Sequence, residues 1–387
     1  MQSAELFAGC GGLALGMSYA GFKHLHMAEF DGDAVATVLH NKAKGVEHVR
    51  DWPMELLDVR EIDWKKLGAL DLVSGGPPCQ PFGIGGKKRG QYDDRDMWPE
   101  AIRAVREAMP RLFLFENVRN IAGPRFRFYL NWIVAHLERP SSEMRANERH
   151  DDHRARLIAS GTRRDYNVVW QVVNAADFGA AQIRYRVLIF GVRRDLGVMP
   201  KSMKPTHSRD RLLWDQYVTG EYWTRHGLEK RKKAILQRDQ LRVEQLTREA
   251  REPDGLAWVT VRDALHGLGE PNGRSNHVMQ PGARVYPGHT GSPLDLPAKA
   301  LKAGDHGVPG GENMMVRDDG TVRYFTTREA ARLVGLPDDY EFPRSWTESM
   351  RQLGNAVPAP LATAAGKWLM KQVGASGGVL APKARVA

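Results

Sequence analysis

The chain carries two cysteines, Cys10 and Cys79, and Cys79 stands where a thiol could react. It closes the stretch Gly75-Gly76-Pro77-Pro78-Cys79-Gln80-Pro81-Phe82, which follows a short apolar run at 70–73. The run reads as a buried strand ended by the glycines. The two prolines then fix the backbone and present the thiol at the strand's carboxyl end. In open α/β sheets that end is where ligands and reacting groups collect. A thiolate there can act as a nucleophile, although the same turn could enclose an idle small side chain. Two cysteines supply no disulfide framework and no four-thiolate zinc site. An intracellular, reducing compartment is expected, in which a thiol stays free for chemistry.

Two further stretches offer partners for such a thiol. The apolar strand Leu112-Phe113-Leu114-Phe115 ends in Glu116-Asn117-Val118. Glu116 therefore reaches a strand end one strand after Cys79, and the thiol and the carboxylate could share one crevice. Gln182-Ile183-Arg184-Tyr185-Arg186 leads into an apolar strand at 187–192. Alternation puts Gln182, Arg184 and Arg186 on one face. Two arginines and an amide aimed one way suit anion or base-edge recognition; a salt-bridged sheet edge would give the same pattern.

The elements that must position these groups read as βα units. A strand over 1–7 runs into Ala8-Gly9-Cys10-Gly11-Gly12 and then a helical pattern to Ala20, the first half of a mononucleotide-binding unit. The spacing is not GxGxxG, so a dinucleotide pyrophosphate is not the obvious guest. The glycines would let the backbone approach another adenosine-bearing ligand. A second strand, 24–28, ends in Glu29-Phe30-Asp31. Glu29 lies about twenty positions after Gly9, where a carboxylate can hold ribose hydroxyls. Phe30 could lie flat against an adenine ring, and Asp58, followed by Val59, could accept from the adenine amino group. Singly, each acid could instead cap a helix.

Beyond Cys79, residues 83–90 place Lys87, Lys88 and Arg89 among glycines, a mobile basic loop that could close over a nucleic acid backbone. A helix is predicted over 97–109. Residues 138–164 turn hydrophilic and read as an inserted surface segment. From 195 to about 321 the βα alternation is lost. A long charged helix is predicted over 229–252, and basic residues interleave with Trp214, Tyr222, Trp223 and His226. This mix suits a separate recognition module over nucleic acid. Thr326 or Thr327 can cap a helix reaching 336, with Ala330, Leu333 and Val334 as its apolar stripe. Gln352-Leu353-Gly354-Asn355-Ala356-Val357-Pro358 precedes a small-residue helix to about 373, and the tail has a disordered composition.

Composition agrees with a globular, nucleic-acid-facing protein. Of 387 residues, 42% are hydrophobic and 26% charged, and the net charge of +10 favours a polyanionic partner. The length suggests two domains. No apolar run is long enough to cross a bilayer, and no signal-peptide pattern opens the chain.

Over nearly its whole length, and in the family's motif order, the chain resembles the DNA (cytosine-5)-methyltransferases that use S-adenosylmethionine. Phe7-Ala8-Gly9-Cys10-Gly11-Gly12 resembles the cofactor loop and Pro77-Pro78-Cys79-Gln80 the nucleophile motif. Glu116-Asn117-Val118 resembles the carboxylate motif and Gln182-Ile183-Arg184-Tyr185-Arg186 the arginine motif. Arg328-Glu329-Ala330-Ala331-Arg332-Leu333 with Gly335-Leu336-Pro337-Asp338 resembles the bracing helix, and residues 352–358 the closing motif.

The resemblance implies an α/β fold: a Rossmann-like, mostly parallel sheet with a smaller, irregular target-recognition domain. The catalytic domain would comprise 1–194 and 322–387, and the recognition domain 195–321. Cys79 would add to cytosine C6, Glu116 would contact N3 and the exocyclic amine, Arg186 would hold O2, and Arg184 would fix the ring and Cys79. Phe7, Gly9, Cys10, Gly12, Glu29, Phe30, Asp58, Val59, Asn355 and Ala356 would hold S-adenosylmethionine, with Pro78 and Trp98 lining the methyl-donor pocket. Gln80, Lys87, Lys88, Arg89, Lys299, Lys302 and His306 would meet DNA. No metal is implied. A monomer acting on double-stranded DNA in the bacterial cytoplasm is expected, with a restriction or phage-defence system as companion. Some positions depart from the family pattern: Glu5 replaces a usual Asp, Gly83 a usual Ser and Ala300 a usual Thr, and the insertion at 139–165 is long. A tRNA cytosine-5 methyltransferase on the same fold is an alternative, without the Cys-Phe-Thr signature of those enzymes. A non-catalytic DNA-binding paralogue is another.

Overall fold

In the computed structural model, residues 1–78, 96–159, 161, 163–229, 234–287, 289–303 and 311–374 are described. The apolar runs of the N-terminal half form one sheet. Its strands are β1 (Gln2–Leu6), β2 (Lys23–Glu29), β3 (Met54–Leu56), β4 (Leu72–Gly75), β5 (Leu112–Val118), β6 (Tyr166–Asn174) and, after the two-residue β7 (Gln182–Ile183), β8 (Tyr185–Arg193). The order is β3-β2-β1-β4-β5-β8-β6. Strands β1 to β5 run parallel, and β8 runs antiparallel to both β5 and β6. A sheet covered on both faces needs apolar side chains on both, which explains the unbroken Leu-Phe-Leu-Phe of β5.

Period two divides that run between two layers. Phe113 and Phe115 face α3 (Trp98–Ala108) and α4 (Arg127–Glu138), joining Trp98, Ile102, Tyr129 and Ile133. Leu112 and Leu114 face α1 (Gly12–Tyr19) and a C-terminal helix, joining Leu13, Met17, Leu361 and Leu369. α2 (Gly32–Ala43) follows β2 and is capped by Asp31, whose carboxylate accepts from the amides of Asp33 and Ala34. The hydrophilic insertion is not irregular throughout: α5 (His150–Ala159) packs on α4, setting His150 and His153 against Trp132. Two histidines and a buried leucine, Leu157, give it an inward face that its charge concealed.

The smaller part is assembled from short pieces. These are β9 (His207–Ser208), α6 (Arg209–Leu213), α7 (Glu221–Arg225), α8 (Gln240–Glu249), β10 (Leu256–Ala257), α9 (Val261–Leu265), β11 (Ser292–Pro293), β12 (Ala298–Lys299), β13 (Met314–Val316) and β14 (Val322–Tyr324). The long charged helix predicted over 229–252 is not continuous. α8 begins only at Gln240, because Leu236 is extended, and ends at Ala250, which turns left-handed at φ 47°. Small clusters hold this part together, Leu212, Tyr222 and Trp223 in one and Leu213, Val243 and Leu246 in the other. It meets the larger part where β12 pairs with β7 in a separate two-stranded sheet just before β8.

The chain then returns through α10 (Thr327–Val334), α11 (Trp346–Asn355) and α12 (Ala359–Gly374). Thr326 caps α10 in a reciprocal box with Glu329, and Gly335 ends it at φ 85°. α12 lies along α1 at a glycine seam: a Cβ on Gly16 would stand 2.2 Å from Ala362 Cβ. Among the described residues no helix is long and apolar enough to cross a membrane.

Candidate active site

The first edge of the site is the turn after β1. Phe7 and Gly9 both take φ 55°, a left-handed conformation that costs Phe7 of order 1 kcal/mol and Gly9 little. The turn aims the Gly9 amide at β2, where it donates to Glu29 Oε2 at 2.8 Å. Asp31 N donates to the other oxygen, Oε1, also at 2.8 Å. Two backbone amides thus fix the Glu29 carboxylate, and each oxygen keeps capacity for a further donor. Beside it, Phe30 is 74% exposed and Leu56, its neighbour at the end of β3, 62% exposed. A Cβ on Gly9 would meet nothing within 4 Å. An open backbone, a fixed carboxylate and two uncovered apolar side chains form a cradle suited to an adenosine.

The other expected cofactor residues differ in their surroundings. Cys10 is buried with Sγ 3.8 Å from the carbonyl of Gln352, and burial pushes its thiol up to about 12. Its own carbonyl accepts from the Tyr340 hydroxyl at 2.7 Å. A Cβ on Gly12 would stand 2.4 Å from the Val357 carbonyl oxygen. Cys10 and Gly12 thus also form the seam with the C-terminal segment. Trp98 is 0% exposed, edge-on to Phe115 at 5.8 Å, so it underlies the site instead of lining it. The Asp58 carboxylate is held by the Arg60 guanidinium and amide, which keep its carboxyl below its ordinary value, and Val59 is buried. Asn355 is exposed at the end of α11, Ala356 is buried next to it, and Pro78 is half-buried.

The second edge lies at the ends of β4, β5 and β8. A Cβ on Gly75 would stand 2.6 Å from the Leu6 carbonyl oxygen, so the β4 end needs glycine to pass β1. Gly76 sits against Glu116, its missing Cβ 3.3 Å from Oε2. Asn117 Nδ2 donates to the Pro77 carbonyl at 3.1 Å and holds the proline turn to the end of β5. Glu116, 8% exposed, receives Arg186 Nε on Oε1 at 2.5 Å. This pairing follows from the register, since Val118 opposes Arg186 across β5 and β8. Cys79, Gln80, Lys87, Lys88, Arg89 and His306 lie outside the described residues.

Gln182, Arg184 and Arg186 have different partners among the described residues. Gln182 Nε2 donates to Leu333 O at 3.2 Å. Arg184, buried, donates from Nη1 to Leu301 O at 3.1 Å and from Nη2 to Gly354 O at 2.5 Å. The alternation expected along 182–186 is kept in the burial, with Gln182 and Arg184 buried and Tyr185 exposed, although β7 ends at Ile183 and β8 starts at Tyr185. Two of the three side chains are spent on backbone carbonyls, leaving Arg186 at the carboxylate. Lys302 pairs with Glu312 at 2.6 Å, whereas Lys299 donates to the neutral Thr290 Oγ1 at 2.8 Å and keeps its charge.

The contacts of several positioning groups escaped the sequence reading. Asp31 and Glu348 both pair with Arg351, and Asp33 with Arg344, so two arginines balance this acidic cluster beside the cradle. Arg328, inside α10, donates to the carbonyls of Ser275, Pro337 and Tyr340 and so braces the smaller part. Glu5 is fully buried on β1; burial raises its carboxyl to about 8 while Ser74 Oγ donates to it at 3.1 Å. Only the helical brace carries a sequence signal, its Thr-x-x-Glu capping box.

Comparison with known proteins places this arrangement. A family model described as C-5 cytosine-specific DNA methylase matches residues 1–140 and 144–371. The Type II methyltransferase M.NgoMIV of Neisseria gonorrhoeae is 28% identical over 378 residues, covering 95% of this chain and 97% of the relative. The Type II methyltransferase M.PspPI of a Psychrobacter species is 30% identical over 386 residues, covering 96% and 79% respectively. Among solved structures, a prophage-encoded E. coli protein described as a DNA modification methyltransferase superposes with a TM-score of 0.59 at 21% identity, covering 97% of this chain and 99% of that one. The S. pombe Dnmt2 methyltransferase gives 0.56 at 15% identity, covering 96% and 98%. At those identities the superpositions speak for the fold.

Proposed function

The chain belongs to the C-5 cytosine-specific DNA methylase family, and we propose that it methylates C5 of a flipped-out cytosine in a specific duplex sequence through a covalent Cys79 adduct. One observation carries this reading. The proline turn that delivers Cys79 is fastened by Asn117 to the strand end bearing Glu116, and Glu116 is paired with Arg186. Carboxylate and cation thus stand at the strand end to which the residues preceding Cys79 in the sequence are fastened.

The neutral cytosine ring has a weakly nucleophilic C5. In the proposed sequence the Cys79 thiolate forms an S–C6 bond, and the electrons of the C5–C6 double bond become available at C5. Glu116 faces N3 and the exocyclic amine and stabilises the ring as the thiolate adds, while Arg186 holds O2. S-adenosylmethionine, when bound, supplies the electrophilic methyl group. The Phe7-to-Gly9 turn, Glu29, Phe30 and Asn355 hold it: Glu29 for the ribose hydroxyls, Phe30 and Leu56 for the adenine face. Removal of the C5 proton by a base then lets the electrons expel Cys79. Flipping the base out of the stack costs about a few kcal/mol, to be recovered from contacts to the DNA.

We take 1–194 with 322–387 as the catalytic unit and 195–321 as the recognition unit, supported by the way α12 completes the packing on α1. The Type II names of the relatives support a place in restriction-modification or a related phage-defence system. The test is bisulfite sequencing of unmethylated genomic DNA incubated with the protein and S-adenosylmethionine, with tRNA in parallel. Cytosines protected within one short motif are expected, and Cys79→Ala should abolish protection while cofactor affinity stays within about twofold. Protection that persists in Cys79→Ala would overturn the covalent mechanism.

A further inference from the structure

Beside the catalytic edge lies a basic, aromatic surface that belongs to neither the recognition part nor the cradle. The chain leaves β5 through a tight turn, Arg119–Ala122, three residues after Glu116. The Arg119 guanidinium lies over the Tyr185 ring, 4.9 Å from its centroid. Tyr185 immediately precedes Arg186 and its carbonyl accepts from Arg186 Nη1 at 2.8 Å. At the start of α4, Arg127 lies over the Trp170 ring of the edge strand β6, again at 4.9 Å. Between the two arginines is a cavity of about 440 Å³, whose lining includes Asn120, Gly123 and Val172 but no acidic residue. Both arginines are exposed, and among the described residues neither has a carboxylate partner.

By contrast, Arg186 and Arg351 are paired with Glu116, Asp31 and Glu348, and Arg184 donates to backbone carbonyls. A guanidinium stacked on an aromatic face is held in orientation while its N–H edge stays open. Two such edges flanking an acid-free hollow match the bidentate geometry of phosphate oxygens. The register fixes where the anion would sit. Arg119 and Tyr185 each adjoin the Val118–Arg186 pair, at the same strand ends as Glu116 but on the opposite face of the sheet, so a polyanion on this surface reaches the end of the sheet that carries the base site. The recognition part attaches elsewhere, through β12 on β7.

We propose that Arg119 and Arg127 grip the sugar–phosphate backbone of duplex DNA flanking the target cytosine, a clamp separate from the recognition part. This rests on the DNA-methylating reading above. Phosphate contacts position the duplex and carry no sequence information. The clamp therefore serves any site, and the selectivity stays with the recognition part.

The test is the salt dependence of duplex binding, measured by anisotropy on the full chain with Arg119→Gln/Arg127→Gln and with Arg119→Lys/Arg127→Lys. Methylation is scored in parallel. Loss of two phosphate contacts should reduce the slope of log K against log salt by about 1.8. It should weaken cognate and scrambled duplexes by the same factor. The lysine pair, which keeps the charge, should restore the slope. An unchanged slope in the glutamine pair overturns the clamp, whatever the methylation result. A lysine pair that fails to restore it assigns the loss to the fold and overturns the clamp as well. A slope that responds as expected in a protein that transfers no methyl group leaves the clamp standing and removes the catalytic reading instead.

Discussion

Arg184 joins stretches of chain far apart in sequence, and replacing it separates two accounts of its role. Its guanidinium, 2% exposed, donates to Leu301 O at 3.1 Å and to Gly354 O at 2.5 Å, and its own amide donates to Asn174 Oδ1 at 3.1 Å. Hydrogen bonds from a charged donor contribute about 1.5–3 kcal/mol each, and a buried carbonyl left unmet costs about 1–3 kcal/mol. Arg184→Lys keeps the charge but has no planar fork, so one of the two carbonyls loses its donor. A loss of about 2 kcal/mol is expected. Arg184→Met strips both carbonyls but also removes the cost of burying a charge, for a net loss of about 2–4 kcal/mol. At about 1–2 °C per kcal/mol for a chain of this length, melting should fall by about 2–4 °C for Lys and somewhat more for Met. Gly354 precedes Asn355 and Ala356, so cofactor affinity should weaken with it. The assay pairs thermal melting with calorimetric titration of S-adenosylmethionine and single-turnover methylation. A Lys variant that melts within a degree of the parent and binds cofactor normally, yet is slow in the chemical step, would refute the structural tie. It would return Arg184 to the cytosine ring.

Two further perturbations follow from packing and burial. Gly16→Ala should destabilise by about 1–3 kcal/mol despite a helix-propensity gain of about 1 kcal/mol. The new Cβ would lie 2.7 Å from the Thr363 amide nitrogen and 2.8 Å from the Ala362 carbonyl carbon, backbone atoms that cannot swing aside. A urea midpoint equal to the parent's would refute the seam. His136, buried between α4 and α5 with no hydrogen-bond partner for either ring nitrogen among the described residues, has its pKa depressed to about 3, chiefly by burial. The folded state keeps it neutral while the unfolded chain takes up a proton below about 6.5. Stability is therefore complete above that value and falls by up to about 1.4 kcal/mol per pH unit as the pH drops from 6.5 towards 3. Denaturant midpoints at pH 7.5 and 5.5 should differ more in the parent than in His136→Phe, and equal differences would refute the assignment.

Much of this fold was legible because its signals are local. The apolar strands, the Thr-x-x-Glu cap on α10 and the small-residue helix at the end each depend on neighbours within a few residues. Glu29 and Glu116 were legible for a related reason: a strand end sets where its last side chain points. What the sequence hid depends on packing across long separations. Nothing in Ala8-Gly9-Cys10-Gly11-Gly12 tells which glycine opens onto a ligand and which makes room for Val357. Nothing in Gln182-Ile183-Arg184-Tyr185-Arg186 tells that Gln182 and Arg184 meet the carbonyls of Leu333, Leu301 and Gly354, partners more than a hundred residues away. The charged run after 229 misled for the opposite reason. Its composition favours a helix, but an extended Leu236 and a left-handed Ala250 confine the helix to ten residues.

The same contacts bear on how DNA and cofactor are made to meet. Leu301 lies in the expected recognition segment, Gly354 stands next to the expected cofactor residue Asn355, and one guanidinium holds both carbonyls. A DNA-driven shift of residue 301 cannot leave the Arg184 fork unmoved, and the fork reports to the cofactor edge. The two ligands should therefore bind with a coupling free energy, and linkage requires the effect to be reciprocal. If duplex DNA tightens cofactor binding by a given factor, the cofactor must tighten DNA binding by that same factor, within the about 5–150-fold range usual for coupled sites. Titrating each ligand in the presence and absence of the other measures the factor twice, with S-adenosylhomocysteine in place of the methyl donor to prevent turnover. The factor should shrink towards one in Arg184→Met. Independent affinities in the parent, or a coupling that survives in Arg184→Met undiminished, would show that the recognition part communicates with the cofactor by another path, the remaining candidate being Arg328 in α10 with its hold on Ser275 and Tyr340.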